Sequence, residues 1–149
     1  MATILFKPLT VLGSAQDFTD SAPKIPLYGS SVQAGWPSPA DDYIESEINL
    51  HEMLVRNPAS TFFLRAAGDS MLGAGIHDGD LLIVDRSLEA LSGKVVIAAL
   101  DGDLLVKTLS RKNGKAFLMP ANPDYPAIEI TNREYVHIWG VLTYCIHKL

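Results

Sequence analysis

Two side chains in this sequence are placed to do covalent chemistry together. Ser70 follows Gly68-Asp69 and precedes the large apolar Met71, between a strand-like run and the tight acidic turn Asp78-Gly79-Asp80, so it stands where a strand gives way to a helix. A serine hydroxyl is a weak nucleophile until a base takes its proton. His51, His77, His137 and His147 are scattered, and none is placed for that task. Lys107 lies in the otherwise apolar run Leu104-Leu105-Val106-Lys107-Thr108-Leu109, where burial would disfavour the ammonium and leave a neutral amine. Ser70 attacking and Lys107 taking its proton is the Ser-Lys form of nucleophilic catalysis. The backbone N–H groups of Asp69 and Ser70, unpaired where a helix opens, would receive the oxyanion. Both side chains also have ordinary readings: a serine here caps a helix, and a lysine can pack its stem while its head reaches water. A candidate bond to be cut lies upstream, at Ala34-Gly35.

No metal or cofactor is expected from the spacing. Asp69, Asp78 and Asp80 lack the spacing of an EF-hand loop, no His-x-x-x-His pair accompanies them, and Asp78-Gly79-Asp80 reads as a turn. The single cysteine, Cys145, excludes an internal disulfide framework and fits a reducing cytosol. Among Tyr144, Ile146 and Val141 it reads as a small core residue.

These groups must be positioned by one core, since 149 residues, 48% of them hydrophobic, suffice for one good domain and not two. The net charge of -5 and the lack of a basic run argue against a protein that holds DNA by neutralising phosphates. No run approaches a membrane span, and Met1 to Leu12, with Lys7 and Pro8, makes a poor secretory signal, so a cytoplasmic protein is expected.

Five of the nine prolines (Pro8, Pro23, Pro26, Pro37 and Pro39) fall in residues 1–42, which read as an extended N-terminal arm containing the candidate cleavage site. Within it, the stretch 30–37 has the small and β-branched residues that can lie as a strand in a groove, although a linker accounts for it too. Residues 43–149 read as the folded domain. Asn49 with Glu52 resembles a capping box opening one short helix that ends near Pro58, and Ser70 would open a second. Strands are expected over 61–67, 81–85, 94–100, 103–110, 116–119, 128–130 and 135–142. Asp101-Gly102 and Asn113-Gly114 supply two hairpin turns, and the proline-rich stretch 120–126 is a loop. The pattern predicts a mostly-β domain of strongly bent antiparallel sheets with one or two short helices. The final strand carries Ile138, Trp139, Val141 and Leu142, more apolar surface than a small domain easily covers, which suits a self-complementary dimer interface.

Gly68-Asp69-Ser70-Met71, the run from Asp78 through Leu81-Leu82-Ile83-Val84-Asp85, Val106-Lys107 and Ala34-Gly35 together resemble the LexA-type self-cleaving serine peptidases. Within that family, Gly35-Trp36-Pro37-Ser38-Pro39-Ala40-Asp41-Asp42-Tyr43, without a preceding DNA-binding domain, is similar to the UmuD branch, accessory subunits of mutagenic polymerases. The likeness covers roughly residues 27 to 147. It implies Ser70 as nucleophile, Lys107 as general base and Ala34-Gly35 as the bond of self-cleavage. UmuD-type proteins commonly have Cys before the scissile glycine; Ala34 departs from that and matches the LexA pair.

The resemblance further implies a homodimer, a RecA filament on single-stranded DNA as activator of self-cleavage, and a UmuC-type translesion polymerase as partner in the SOS response. It implies no direct sequence-specific DNA binding. Three rivals are a non-catalytic β-rich dimeric interaction module, a LexA-like repressor fragment and a signal peptidase with the same dyad. The intact set of Ser70, Lys107 and Ala34-Gly35 argues against the first. Only Lys7 and Lys24 are basic in the arm, which argues against the second, and the missing membrane anchor argues against the third.

Overall fold

Apolar residues that alternate or run together between turn signals have become ten strands among the described residues. In chain order they are β1 (Thr10–Ser14), β2 (Ile25–Tyr28), β3 (Ile44–Ile48), β4 (Thr61–Arg65), β5 (Leu81–Asp85), β6 (Val95–Leu100), β7 (Asp103–Lys112), β8 (Lys115–Met119), β9 (Ile128–Glu129) and β10 (Val136–Ile146). The structure is a computed structural model and describes residues 9–15, 25–28 and 44–149. Eight strands form one antiparallel sheet in the order β1-β4-β5-β10-β6-β7-β8-β9, and β2 pairs with β3 separately. The expected mostly-β, antiparallel fold is therefore the observed one.

The hairpins follow the turn residues. Asp101 (φ 50°) and Gly102 (φ 86°) join β6 to β7, and Asn113 (φ 52°) and Gly114 (φ 75°) join β7 to β8, each pair with the two positive φ angles that a tight hairpin turn requires. The bend of the sheet is concentrated in β10. Its first half pairs with β6 and its second half with β5, Val141 standing opposite both Val96 and Asp85 at the handover. Register shifts between Ile138 and Gly140 and between Leu142 and Tyr144 bend it further. Gly140 has to be small, since a Cβ there would lie 2.6 Å from Val84 Cγ1.

Successive residues of β6 face opposite sides, so the sheet is covered twice. Ile97 joins a cluster with Leu64, Met71, Leu82, Val84 and Val106, while Val96 and Ala98 join Leu109, Leu118 and Val141. Full burial of such side chains contributes roughly 1.5–3 kcal/mol each.

Several boundaries differ from the sequence reading. The capped helix is present as α1 (Leu50–Leu54), with Asn49 Oδ1 accepting from the N–H of His51 at 3.0 Å and of Glu52 at 3.3 Å. β4 stops at Arg65, because the Ala66 N–H and carbonyl instead pair with Asp80 O and the Gly79 N–H. The helix expected to open at Ser70 is a single 3₁₀ turn, Leu72–Ala74, that begins after Met71 and is stopped by Gly75 at φ 80°. β10 continues to Ile146 because β5 offers a pairing edge along its whole length. Within the segment read as an arm, β1 adds to the outer edge of β4, and the Leu9 N–H donates to Leu104 O at 3.0 Å. The stretch 30–37, with Ala34 and Gly35, lies outside the described residues.

One buried carboxylate ties the entry of β4 to the exit of β5. Asp85 accepts from Asn57 Nδ2 (2.8 Å), Ser60 Oγ (2.8 Å), Ser87 Oγ (2.6 Å) and the Ser87 N–H (2.8 Å). Burial alone would raise its pKa; the four donors outweigh that and hold it down at about 2.

Candidate active site

β7 is long enough to carry Lys107 into the middle of the sheet, where neighbouring strands and apolar layers enclose it. Its side chain is 2% exposed. Ser70 comes from the loop after β4, beyond Gly68, whose φ of 85° turns the chain back over β7. The Lys107 Nζ donates to Ser70 Oγ at 2.7 Å and to Val106 O at 3.0 Å. Removal from water lowers the Lys107 pKa from its ordinary 10.5 to about 8. The hydroxyl and the amine both line a cavity of about 400 Å³, together with Leu9, Gly68, Asp69 and Tyr125. The arrangement can pass a proton from a hydroxyl to an amine beside an open cavity.

The turn that carries Ser70 is held from two sides. On one, the Gly68 N–H donates to Asp78 Oδ1 at 2.7 Å and Arg65 reaches Gly79 O at 2.8 Å. On the other, the proline-rich loop after β8 grips it: the Ala121 N–H donates to Ser70 O (2.8 Å), the Gly73 N–H to Ala121 O (2.7 Å) and Asn122 Nδ2 to Asp69 O (2.9 Å). Tyr125 Oη donates to the Asp69 carboxylate. Among the described residues, no acceptor is bonded to the N–H of Asp69 or of Ser70.

Residues 26–143 match the family model described as Peptidase S24-like. The chain belongs to that family. Peptidase S24 is a serine peptidase family with self-cleaving members, and the chain falls with its UmuD-like branch. It is 46% identical to Protein MucA of Salmonella typhimurium over 123 residues, 82% of this chain and 84% of that protein. Its identity to Protein ImpA of Salmonella typhimurium is 40% over 148 residues, 99% of this chain and 97% of the relative, so that likeness runs through the N-terminal segment as well. The LexA repressor of Azoarcus sp. (strain BH72) is 44% identical over 109 residues, which span 73% of this chain and 53% of the repressor.

For this S24-like chain the structure brings Ser70 and Lys107 together and places Asp69 beside them. Ala34 and Gly35 are not among the described residues. Sequence reasoning missed the bracing by Ala121, Asn122 and Tyr125, since nothing in a proline-rich loop says which turn it will hold. It missed Leu9 in the cavity wall for the same reason. It also set the histidines apart, whereas His77 and His147 stack with ring centroids 4.3 Å apart over the buried Asp80. Cys145, read as a core residue, is half-buried and donates to Asp80 Oδ2 at 3.2 Å. Burial and that bond push its thiol pKa up to about 12. Among the described residues no helix is long and apolar enough to cross a membrane.

Proposed function

We propose that this chain is a Ser-Lys peptidase whose substrate is its own N-terminal segment, cut between Ala34 and Gly35. The observation that carries the reading is the buried Lys107 amine 2.7 Å from Ser70 Oγ on the wall of a cavity. With a pKa near 8, about a tenth of the amine is neutral at pH 7, enough to act as a base without a histidine. Lys107 takes the Ser70 proton as Oγ attacks the Ala34 carbonyl carbon. The tetrahedral oxyanion is received by the N–H groups of Asp69 and Ser70. When the C–N bond breaks, the Lys107 ammonium returns the proton to the Gly35 amine. Water, deprotonated by the same lysine, then releases Ala34 from the serine ester.

Cleavage there severs the segment that contains β1 and Leu9 from the domain, and its departure would uncover the outer edge of β4 and one wall of the cavity. An unpaired strand edge is a ready surface for a partner. The trimmed chain, as a cytoplasmic homodimer, would then serve as regulatory subunit of a UmuC-type translesion polymerase in the SOS response, its cleavage stimulated by a RecA filament on single-stranded DNA. Mass spectrometry of purified protein after long incubation tests the catalytic part. A new species beginning at Gly35, absent from Ser70→Ala, is expected; an intact wild-type chain, or equal cleavage in Ser70→Ala, would refute it.

A further inference from the structure

We infer that His77, Asp80 and His147 form a binding site for a divalent transition-metal ion of the zinc type. Their donor atoms all lie within 4.8 Å of one another, and none of the three lines the cavity of Ser70 and Lys107. A tetrahedral ion with bonds of about 2.0–2.2 Å needs donors roughly 3.3–3.6 Å apart, so small side-chain rotations would seat it. His147 Nδ1 is 2.6 Å from Asp80 Oδ1, and His77 Nδ1 is 3.7 Å from Asp80 Oδ2.

Four further features point to a cation. His77 Nδ1 is shielded from solvent and, among the described residues, has no hydrogen-bond partner, although it lies next to a carboxylate. A buried polar atom in that state is costly, and an ion between it and Asp80 would satisfy both. The Asp80 carboxylate is 3% exposed and already oriented by donors other than the imidazoles, the His77 N–H at 2.8 Å and Cys145 Sγ at 3.2 Å, as the outer shell of a metal ligand usually is. Two imidazoles and one carboxylate suit zinc or cobalt rather than calcium or magnesium, which call for more oxygen. The outer parts of both imidazoles are open to solvent, with side chains 46% and 43% exposed, leaving room for water as a fourth ligand.

Bound there, the ion would pin the end of β10 to the turn that also supplies Asp78 to the Gly68 N–H. Its place is structural, separate from the peptidase chemistry.

Cobalt(II) alone, titrated into the full-length chain carrying Ser70→Ala and followed by visible ligand-field absorption, tests the site independently of self-cleavage. One equivalent of tetrahedral cobalt, displaced by zinc, with a Kd below about 10 μM and a rise in the thermal midpoint on adding zinc, is expected. His77→Ala and His147→Ala should each weaken binding at least about tenfold, whereas His137→Ala, an exposed histidine elsewhere, should leave it unchanged. Zinc affinity weaker than about 1 mM, or equal affinity in the two cluster variants and wild type, would overturn the assignment.

Discussion

Lys107 is kept where it is least comfortable. Enclosure lowers its pKa to about 8, so a folded chain at neutral pH mostly holds a buried ammonium. With the folded pKa below the unfolded 10.5, the group's contribution to stability is greatest above about 10.5 and is lost as pH falls through 8. Lys107→Met, which keeps the stem and drops the charge, should therefore abolish cleavage yet stabilise the domain by about 1–2 kcal/mol at pH 7, an advantage that shrinks towards pH 10.5. Urea unfolding at the two pH values checks this; a Met variant less stable than wild type at pH 7 would contradict it. Asp85 is the opposite case, a buried charge fully served by donors. Its depressed pKa contributes stability above the ordinary 3.8 that disappears as pH falls through about 2. Asp85→Ala strands the Asn57, Ser60 and Ser87 donors and should cost about 2–4 kcal/mol at pH 7 by the same measurement.

Among the elements, the turn that carries Ser70 depends on the loop after β8 more than on any helix of its own. Gly73 is where they meet: a Cβ there would stand 2.7 Å from Ala121 O, against backbone that cannot rotate away. Gly73→Val should push the loop off the turn, slow self-cleavage at least about tenfold and cost only about 1–2 kcal/mol of stability, since neither residue belongs to the apolar clusters' centre. Cleavage at the wild-type rate in a folded Gly73→Val chain would show that the brace is dispensable. The sequence makes local devices legible. Asp101-Gly102 and Asn113-Gly114 announce their hairpins because only a few residue pairs take two positive φ angles, and Asn49 announces α1 because its side chain acts within three residues. Lys107 is legible as a charge among apolar neighbours. Contacts between distant segments are not: Ala121 on Ser70, Leu9 at Leu104 and His147 beside Asp80 leave no periodic trace. Ser70 reads as a helix start because a cap and a 3₁₀ turn share the same residues, and only the hydrogen bonds separate them.

Over the whole molecule, the apolar surface attributed to β10 is largely used inside the domain. Trp139 packs edge-on to Phe62 and under the Arg86 guanidinium, and Leu142 packs against the larger cluster. Among the apolar side chains left outward, Leu88, Leu91 and Tyr144 are 44%, 50% and 38% exposed and form a patch lining a second cavity of about 580 Å³. The proposed homodimer would associate through this patch. Residues 35–149 should sediment as a dimer at micromolar concentration, and Leu91→Asp with Tyr144→Asp should weaken association at least about tenfold without unfolding the domain. A strictly monomeric chain would refute the dimer, and a dimer indifferent to both changes would move the interface elsewhere.

In the proposed mechanism, deprotonated Lys107 is the base that activates Ser70. First-order loss of the intact chain, followed from about pH 6 to about 10.5 with circular dichroism confirming the fold, tests it most directly. The rate should rise about tenfold per pH unit below the lysine's pKa of about 8 and then level off, with Gly35 at the new N-terminus throughout. Lys107→Arg should be inert across the range, because a guanidinium keeps its proton there. A flat profile, or a Lys107→Arg chain that still cuts between Ala34 and Gly35, would show that Lys107 is not the base.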